Sequence, residues 1–185
     1  MKVLVCAASR HGATFEIAEE IGFRLGEALG LLGEPAGVSV CRAETVSTVR
    51  GYDAAVLGSA VYERRWVESA RQLVDQAGDD LALMPVWLFS VGAVGSPLAV
   101  VQDPAELGEV RGRTRAYEHR TFVGRVDWPR LATDERAAAV SLQVGTGDYR
   151  NWLEIRNWAY TIATTLRAAQ EMSPPLASPA LASRR

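Results

Sequence analysis

Ser9-Arg10-His11-Gly12-Ala13-Thr14 brings two hydroxyls, a guanidinium, an imidazole and a glycine into six consecutive positions near the N-terminus. An apolar run precedes them and an amphipathic run follows. A turn placed so, between a strand and a helix, suits an anion. The first amides of a helix have no intrahelical partner, and the helix dipole favours negative charge there. Gly12 allows close backbone approach. Ser9 and Thr14 supply hydroxyl donors, while Arg10 and His11 either add positive charge or point to solvent. A hydrogen bond to a charged group contributes about 1.5–3 kcal/mol, so three or four would hold a phosphate. A polar turn that caps a helix and binds nothing has the same composition, and the turn alone leaves both readings open. It does not match the dinucleotide fingerprint G-x-G-x-x-G, having one glycine, nor the P-loop G-x-x-x-x-G-K-[ST], having no lysine. Lys2 is the only lysine of the chain, which removes a lysine Schiff base from the available chemistry.

Other chemistries have less support. His11 and His119 are the only histidines, which excludes a histidine-rich metal site and gives a Ser-His-Asp triad little basis. His119 lies at the start of a strand, where a structural role is the simpler reading. Cys6 and Cys41 fall in apolar strands and read as small hydrophobes, with no disulfide framework, as in a reducing cytoplasm. The net charge is −2 in 185 residues, so charge gives no reason to expect nucleic acid. "GDYRNWLEIRNW" is aromatic and basic, but its spacing is that of a buried helix face. The apolar start is broken at Ser9-Arg10-His11 and lacks a signal-peptide pattern. The runs "MPVWLFSVGAVG" and "PLAVVQ" are too short to span a bilayer, and peripheral membrane contact stays open.

The elements that must position the turn alternate. "KVLVCAA" reads as a strand buried on both faces. A helix from Ala13 to Gly30 follows, with Ile17, Ile21, Leu25 and Ala28 at helical spacing. "GVSVCRA" and "YDAAVLGSA" are the second and third strands, "WVESARQLVDQA" the second helix and "MPVWLFSVG" the fourth strand. A helix over Pro104 to Glu118 includes the charge-alternating "ELGEVRGRTRAYEHR", a solvated surface. "RTFVGRVD" is the fifth strand. Helices over Leu131–Leu142 and Asn151–Ala169 complete the set, the last with Trp152, Ile155, Ala159, Ile162 and Leu166 on one face; Asp148 caps it or precedes its cap. Such alternation predicts an α/β fold with a parallel sheet between two helical layers. One domain is expected over residues 1–170. The Pro-, Ser- and Ala-rich residues 171–185 read as a disordered tail.

"SRHGAT" resembles the phosphate loop of flavodoxin-like proteins, T-x-T-G-x-T, with His11 in place of a hydroxyl. "GSAVY", "FVGRVD" and "GDYRNW" extend the resemblance, over about residues 2–168, to the flavodoxin-domain relatives of menaquinone-dependent protoporphyrinogen dehydrogenase. That resemblance implies a flavodoxin-like three-layer sandwich whose five parallel strands run in the order 2-1-3-4-5. It implies FMN, with its phosphate on Ser9, Arg10, His11, Gly12, Ala13 and Thr14. The flavin ring would lie between a third-strand loop holding Ala60, Val61 and Tyr62 and a fourth-strand loop holding Ser90, Val91, Gly92, Ala93 and Gly95. Tyr62 is the first candidate for ring contact and Trp66 the second, although Trp66 also suits the first apolar position of the second helix. A bare surface loop is the other reading of "VGAVG".

Around the flavin, charge would tune the potential. Glu63, Arg64 and Arg65 leave a positive balance in the third-strand loop. One arginine near 7 Å is worth about 2 kcal/mol at an effective dielectric near 20, of order 100 mV upward for one electron. The expectation is an FMN oxidoreductase that passes electrons from a small-molecule substrate to a quinone-type acceptor. An NAD(P)H-dependent quinone or flavin reductase, and a flavin-free binding or regulatory domain, are the alternatives. No residue is assigned as a general base, and a homodimer stays open. Arg125 and Asp127 either pair with each other or reach the site.

Overall fold

The computed structural model describes residues 1–92, 102–141 and 144–172. Five parallel strands form the central sheet: β1 (Lys2–Ala8), β2 (Gly37–Arg42), β3 (Ala54–Tyr62), β5 (Val86–Gly92) and β6 (Glu118–Val123). They lie in the order β2-β1-β3-β5-β6, and the two-residue strand β4 (Arg65–Trp66) folds back antiparallel on β3. Counting the parallel strands alone, this is the expected 2-1-3-4-5 order. The order reverses between β1 and β3, where Ala8 stands level with Ser59 at the carboxyl ends of the two strands. Doubly wound sheets place their ligands at such a reversal.

The helices are α1 (Ala13–Leu31), α2 (Glu68–Leu81), α3 (Leu107–Thr114), α4 (Thr133–Ser141) and α5 (Trp152–Met172). Side-chain alternation along the strands sorts the core into two layers. Val3, Val5, Val56, Phe89 and Phe122 meet Ile17, Ile21 and Leu25 of α1 and Trp158 and Ile162 of α5. Leu4, Cys6, Leu57 and Leu88 meet Leu73, Val74 and Leu81 of α2 and Val110 of α3. The faces run in register: Cys6 is level with Cys41 on one side and Leu57 on the other. No described helix is long and apolar enough to cross a membrane.

Three expectations change in detail. The helix expected over Pro104–Glu118 is shorter, and it ends where Arg115 adopts a left-handed conformation with φ 51°. Trp66 does not open α2: it lies in β4, whose hairpin turns through Glu63 and Arg64 at φ 49° and 60°. Two successive positive φ values are what a two-residue hairpin joining twisted strands requires. The strand expected over "RTFVGRVD" divides at Gly124. Gly124 N–H still bonds Gly92 O, but its carbonyl accepts from Tyr149 N–H. β7 (Arg125–Val126) then leaves the sheet and pairs antiparallel with β8 (Gly147–Asp148). This excursion has a small core of its own, Val126, Ala139 and Val144, backed by Trp128, Leu131 and Tyr149. Of the expected tail, residues 173–185 lie outside the described residues, as do Ala93 and Gly95 of the fourth-strand loop.

Candidate functional site

Local geometry at the first turn follows from one glycine. Gly12 sits at the N-cap of α1 with φ 92° and ψ −25°, a left-handed conformation that a side chain opposes. No side chain caps the helix there. The Ser9 hydroxyl instead accepts from Gly12 N–H at 3.0 Å, and Glu16 N–H closes the first helical bond to Gly12 O at 2.9 Å. A Cβ at Gly12 would meet Arg130 Nη1 and Glu16 Oε1 at 3.9 Å, ordinary contact with the ends of two flexible side chains. Thr14 is buried at the start of the helix. An uncapped helix start behind a positive-φ glycine, with the Ser9 hydroxyl beside it, fits an anion.

The excursion after β6 folds back on this turn. Glu135 of α4 stands 2.8 Å from His11 Nε2 and 3.3 Å from Arg10 Nη1, and it also accepts from Ala132 N–H at 2.8 Å. Burial works to raise the Glu135 carboxyl, but the Ala132 amide, His11 and Arg10 outweigh it and hold the group below its usual range. Arg130 donates to the His11 carbonyl at 3.3 Å. One step along α1, Glu16 accepts from Arg125 at 2.9 and 3.1 Å and from Arg150 at 2.7 Å. Burial raises the Glu16 carboxyl too, and the two arginines again prevail and lower it. Asp148 holds the other side of Arg150 at 2.6 and 2.8 Å. Arg150 lies over the Trp152 ring, and its side chain is only 4% exposed.

Two motif questions are thereby answered. Arg125 pairs with Glu16 and Asp127 with Arg130, so these two residues do not pair with each other. Asp148 belongs to β8, and Asn151 rather than Asp148 caps α5, accepting from Glu154 N–H at 3.2 Å. "FVGRVD" and "GDYRNW" are the two ends of the excursion, joined through Glu16 to the helix that starts at the turn.

At the end of β3, Tyr62 faces the same turn. The Arg10 guanidinium lies 4.3 Å from its ring centre, and His11 meets the ring edge-on at 6.4 Å. Burial first, and the Glu135 charge second, push the Tyr62 hydroxyl up to about 12, against Arg10. Ala60 is buried and Val61 half-buried. Ser90, Val91 and Gly92 form the end of β5 and are buried.

The Ser90 hydroxyl points into the protein. It accepts from Trp66 Nε1 at 2.8 Å and meets His119 Nε2 at 2.8 Å. Trp66 is therefore part of the core, not a ring contact. Ser90, His119 and Asp103 follow one another in the order of a catalytic triad. Ser90 is fully buried, however, and His119 Nδ1 is 3.8 Å from Asp103, beyond a hydrogen bond. The set is a clamp between strands. Burial lowers the His119 pKa and Arg111 adds to this, against the pull of Asp103. The clamp extends to Ser59, which accepts from Val67 N–H at 2.9 Å, and to Glu106, which accepts from Trp66 N–H at 2.7 Å. Glu106 also lies 4.0 Å from Arg65. The positive balance counted from Glu63, Arg64 and Arg65 is thus cancelled by an acid that folds beneath the hairpin.

Glu16, Glu106, Arg130 and Glu135 were not read as part of the site. Glu135 lies 124 residues from His11. Its only local signature is its place three residues after the cap of α4, where a glutamate returns to the cap amide.

A parallel sheet in this order, with a glycine turn and an uncapped helix start at its reversal, defines a flavodoxin-type α/β protein. The flavodoxin domain family matches residues 4–149, and the chain belongs to that family. Comparison with curated proteins gives no match. Among solved structures, an archaeal flavodoxin superposes with a TM-score of 0.60 at 14% identity, covering 90% of this chain and 99% of its own. An oxidoreductase from Corynebacterium diphtheriae gives 0.55 at 17% identity, with 90% and 96% covered. The Flv1 flavodiiron core from Synechocystis gives 0.59 at 14% identity, covering 91% of this chain but 36% of its own.

Proposed function

We propose that the chain is an FMN-binding oxidoreductase that passes electrons from an organic substrate to a quinone-type acceptor. The observation that carries the FMN reading is the uncapped start of α1 behind Gly12 at φ 92°, half-buried at the sheet's reversal on the side where Tyr62 meets His11. The quinone reading rests on the resemblance of the four quoted motifs to protoporphyrinogen dehydrogenase relatives. With Glu106 beneath Arg65, charge at the hairpin no longer argues for a raised potential.

Bound FMN would supply the electron transfer. The chain's own residues hold it. The first amides of α1 face the phosphate. Ser9 accepts from Gly12 and keeps its hydroxyl proton to donate. Tyr62 offers an aromatic surface at the same edge, with Arg10 already against it. Flavins need flat apolar contact on the ring and polar groups at its edge.

Calorimetric titration with FMN tests the reading, and one-to-one binding in the micromolar range or tighter is expected. Gly12→Val strains a left-handed position, so it should cost at least a hundredfold in affinity while circular dichroism stays unchanged. No binding by the unmodified chain would leave a flavin-free domain, and undiminished binding by the variant would move the phosphate elsewhere.

A further inference from the structure

From the pairing of α4 with the first turn, we infer that Glu135 is a positioning residue: it fixes the His11 ring so that Nδ1 meets the FMN phosphate as a donor. The inference rests on the proposal that this turn holds FMN, and it concerns the one position where the turn departs from T-x-T-G-x-T. His11 replaces a hydroxyl there, and a histidine can serve a phosphate only if its ring is oriented and the facing nitrogen bears a proton.

The structure supplies the orientation. His11 Nε2 is 2.8 Å from Glu135 Oε2. An ionised carboxylate only accepts, so Nε2 carries a hydrogen. Glu135 is itself fixed, by Ala132 N–H and by Arg10, and its side chain is 10% exposed. Nδ1 is bonded to Cγ and is therefore the nitrogen at the turn end of the ring. With Nε2 protonated, Nδ1 is a lone pair in the neutral ring and an N–H donor in the imidazolium. A lone pair repels a phosphate oxygen; an N–H bonds it. Phosphate binding therefore draws a proton onto His11, and the Glu135 carboxylate steadies the resulting charge, as carboxylates do for metal-bound and catalytic histidines.

Groups from four elements surround His11. Glu135 of α4 and Tyr62 of β3 meet its ring, Arg130 of the short helical turn Trp128–Arg130 bonds its carbonyl, and Arg10 of the turn itself pairs with Glu135 and stacks on Tyr62. Glu16 of α1 faces the neighbouring Gly12. The arginines stay charged throughout. Tyr62 stays neutral below about 12, and both carboxyls are held below their usual range. Among these groups His11 carries the only imidazole.

Riboflavin, which has the same ring and no phosphate, is the probe that separates positioning from folding. Calorimetry at pH 7.5 in two buffers of different ionisation heat should show net proton uptake with FMN and none with riboflavin. Glu135→Gln keeps the shape and removes the charge. It should weaken FMN about tenfold, the size of one charge-assisted hydrogen bond, reduce the proton uptake and leave riboflavin unchanged. His11→Gln should abolish the uptake. Tighter FMN binding by Glu135→Gln would make Glu135 a competitor of the phosphate and overturn the inference. Unchanged binding, or an equal loss for FMN and riboflavin, would also overturn it. If the unmodified chain binds neither flavin, the FMN reading itself fails. If it binds FMN and the variants behave like it, only the role of Glu135 falls.

Discussion

Two loops meet at the carboxyl edge of the sheet, and they are held by opposite means. The hairpin after β3 is clamped from inside by the buried Trp66 indole, the Ser90 hydroxyl and the His119 ring. The turn after β1 is held from outside by charge: Glu135 on Arg10 and His11, with Glu16 between Arg125 and Arg150. Hydrogen bonds in a dry core are worth most when every partner is satisfied, and they are indifferent to salt. The ion pairs of the turn each have one member that reaches solvent, Arg10 or Glu16, and are screened by salt in proportion. The difference implies one wall held independently of salt and a second held by charge. On the proposed reading, the first wall would support the flavin ring and the second would receive its phosphate.

The sharpest way to break this comparison is at Trp66. It is 2% exposed, and its indole N–H is a partner of the equally buried Ser90. Trp66→Ala leaves a large cavity and an orphaned hydroxyl, so unfolding in urea should show a loss of about 3–5 kcal/mol. The loss should be the same at low and high salt. A salt-dependent loss, or one under 1 kcal/mol, would mean that the hairpin is not held by its core.

Next in size is Glu16. Glu16→Gln removes the charge between Arg125 and Arg150 and leaves the nearly buried Arg150 with Asp148 alone. Since the Glu16 side chain is 38% exposed, the expected cost is about 1–2 kcal/mol. It should be local. Amide exchange should speed up in the described residues of the excursion between Arg125 and Arg150, while β3 and β5 stay protected. Added salt should shrink the difference between variant and parent. Exchange that rises equally in the hairpin would erase the distinction between the two walls.

The two walls were not equally legible in sequence. The alternation of strands and helices and the parallel sheet between helical layers follow from apolar period, a local signal, while the strand order came with the motif resemblance and the turn by itself left its ligand open. The charged wall was half visible: Arg125, Asp148 and Arg150 stood in quoted motifs, but no local signal marks their partner Glu16 on α1. The clamp was invisible for a different reason. Trp66 fits the period of α2 as well as it fits a hairpin. Only the pairing of Val61 with Trp66 turns the indole toward Ser90. Glu106 reaches the hairpin across 40 residues, and no composition count could have set it against Arg65.

The smallest expected effect separates the walls by pH. His119 has its pKa lowered, chiefly by burial. A group whose pKa is lower folded than unfolded binds more protons when unfolded, so stability rises with pH between the two values. The hairpin should therefore have its full stability above about pH 6.5, the ordinary histidine value, and lose it as pH falls through the lowered folded value. Glu16, Glu135 and Asp148 are lowered too, and the same sign applies from their own ordinary range. Their contribution is complete above about pH 4.5 and disappears only below that. On acidification from pH 7 to 5, amide protection should fall first around Trp66 and Ser90, with the contacts of the excursion intact, and only further acidification should release Arg125 and Arg150. In His119→Asn, with a ring that titrates replaced by an amide that does not, the first step should vanish and the second remain. If both regions loosened together above pH 5, the charged wall would not depend on its carboxylates, and the contrast between a wall held by its core and one held by charge would be lost.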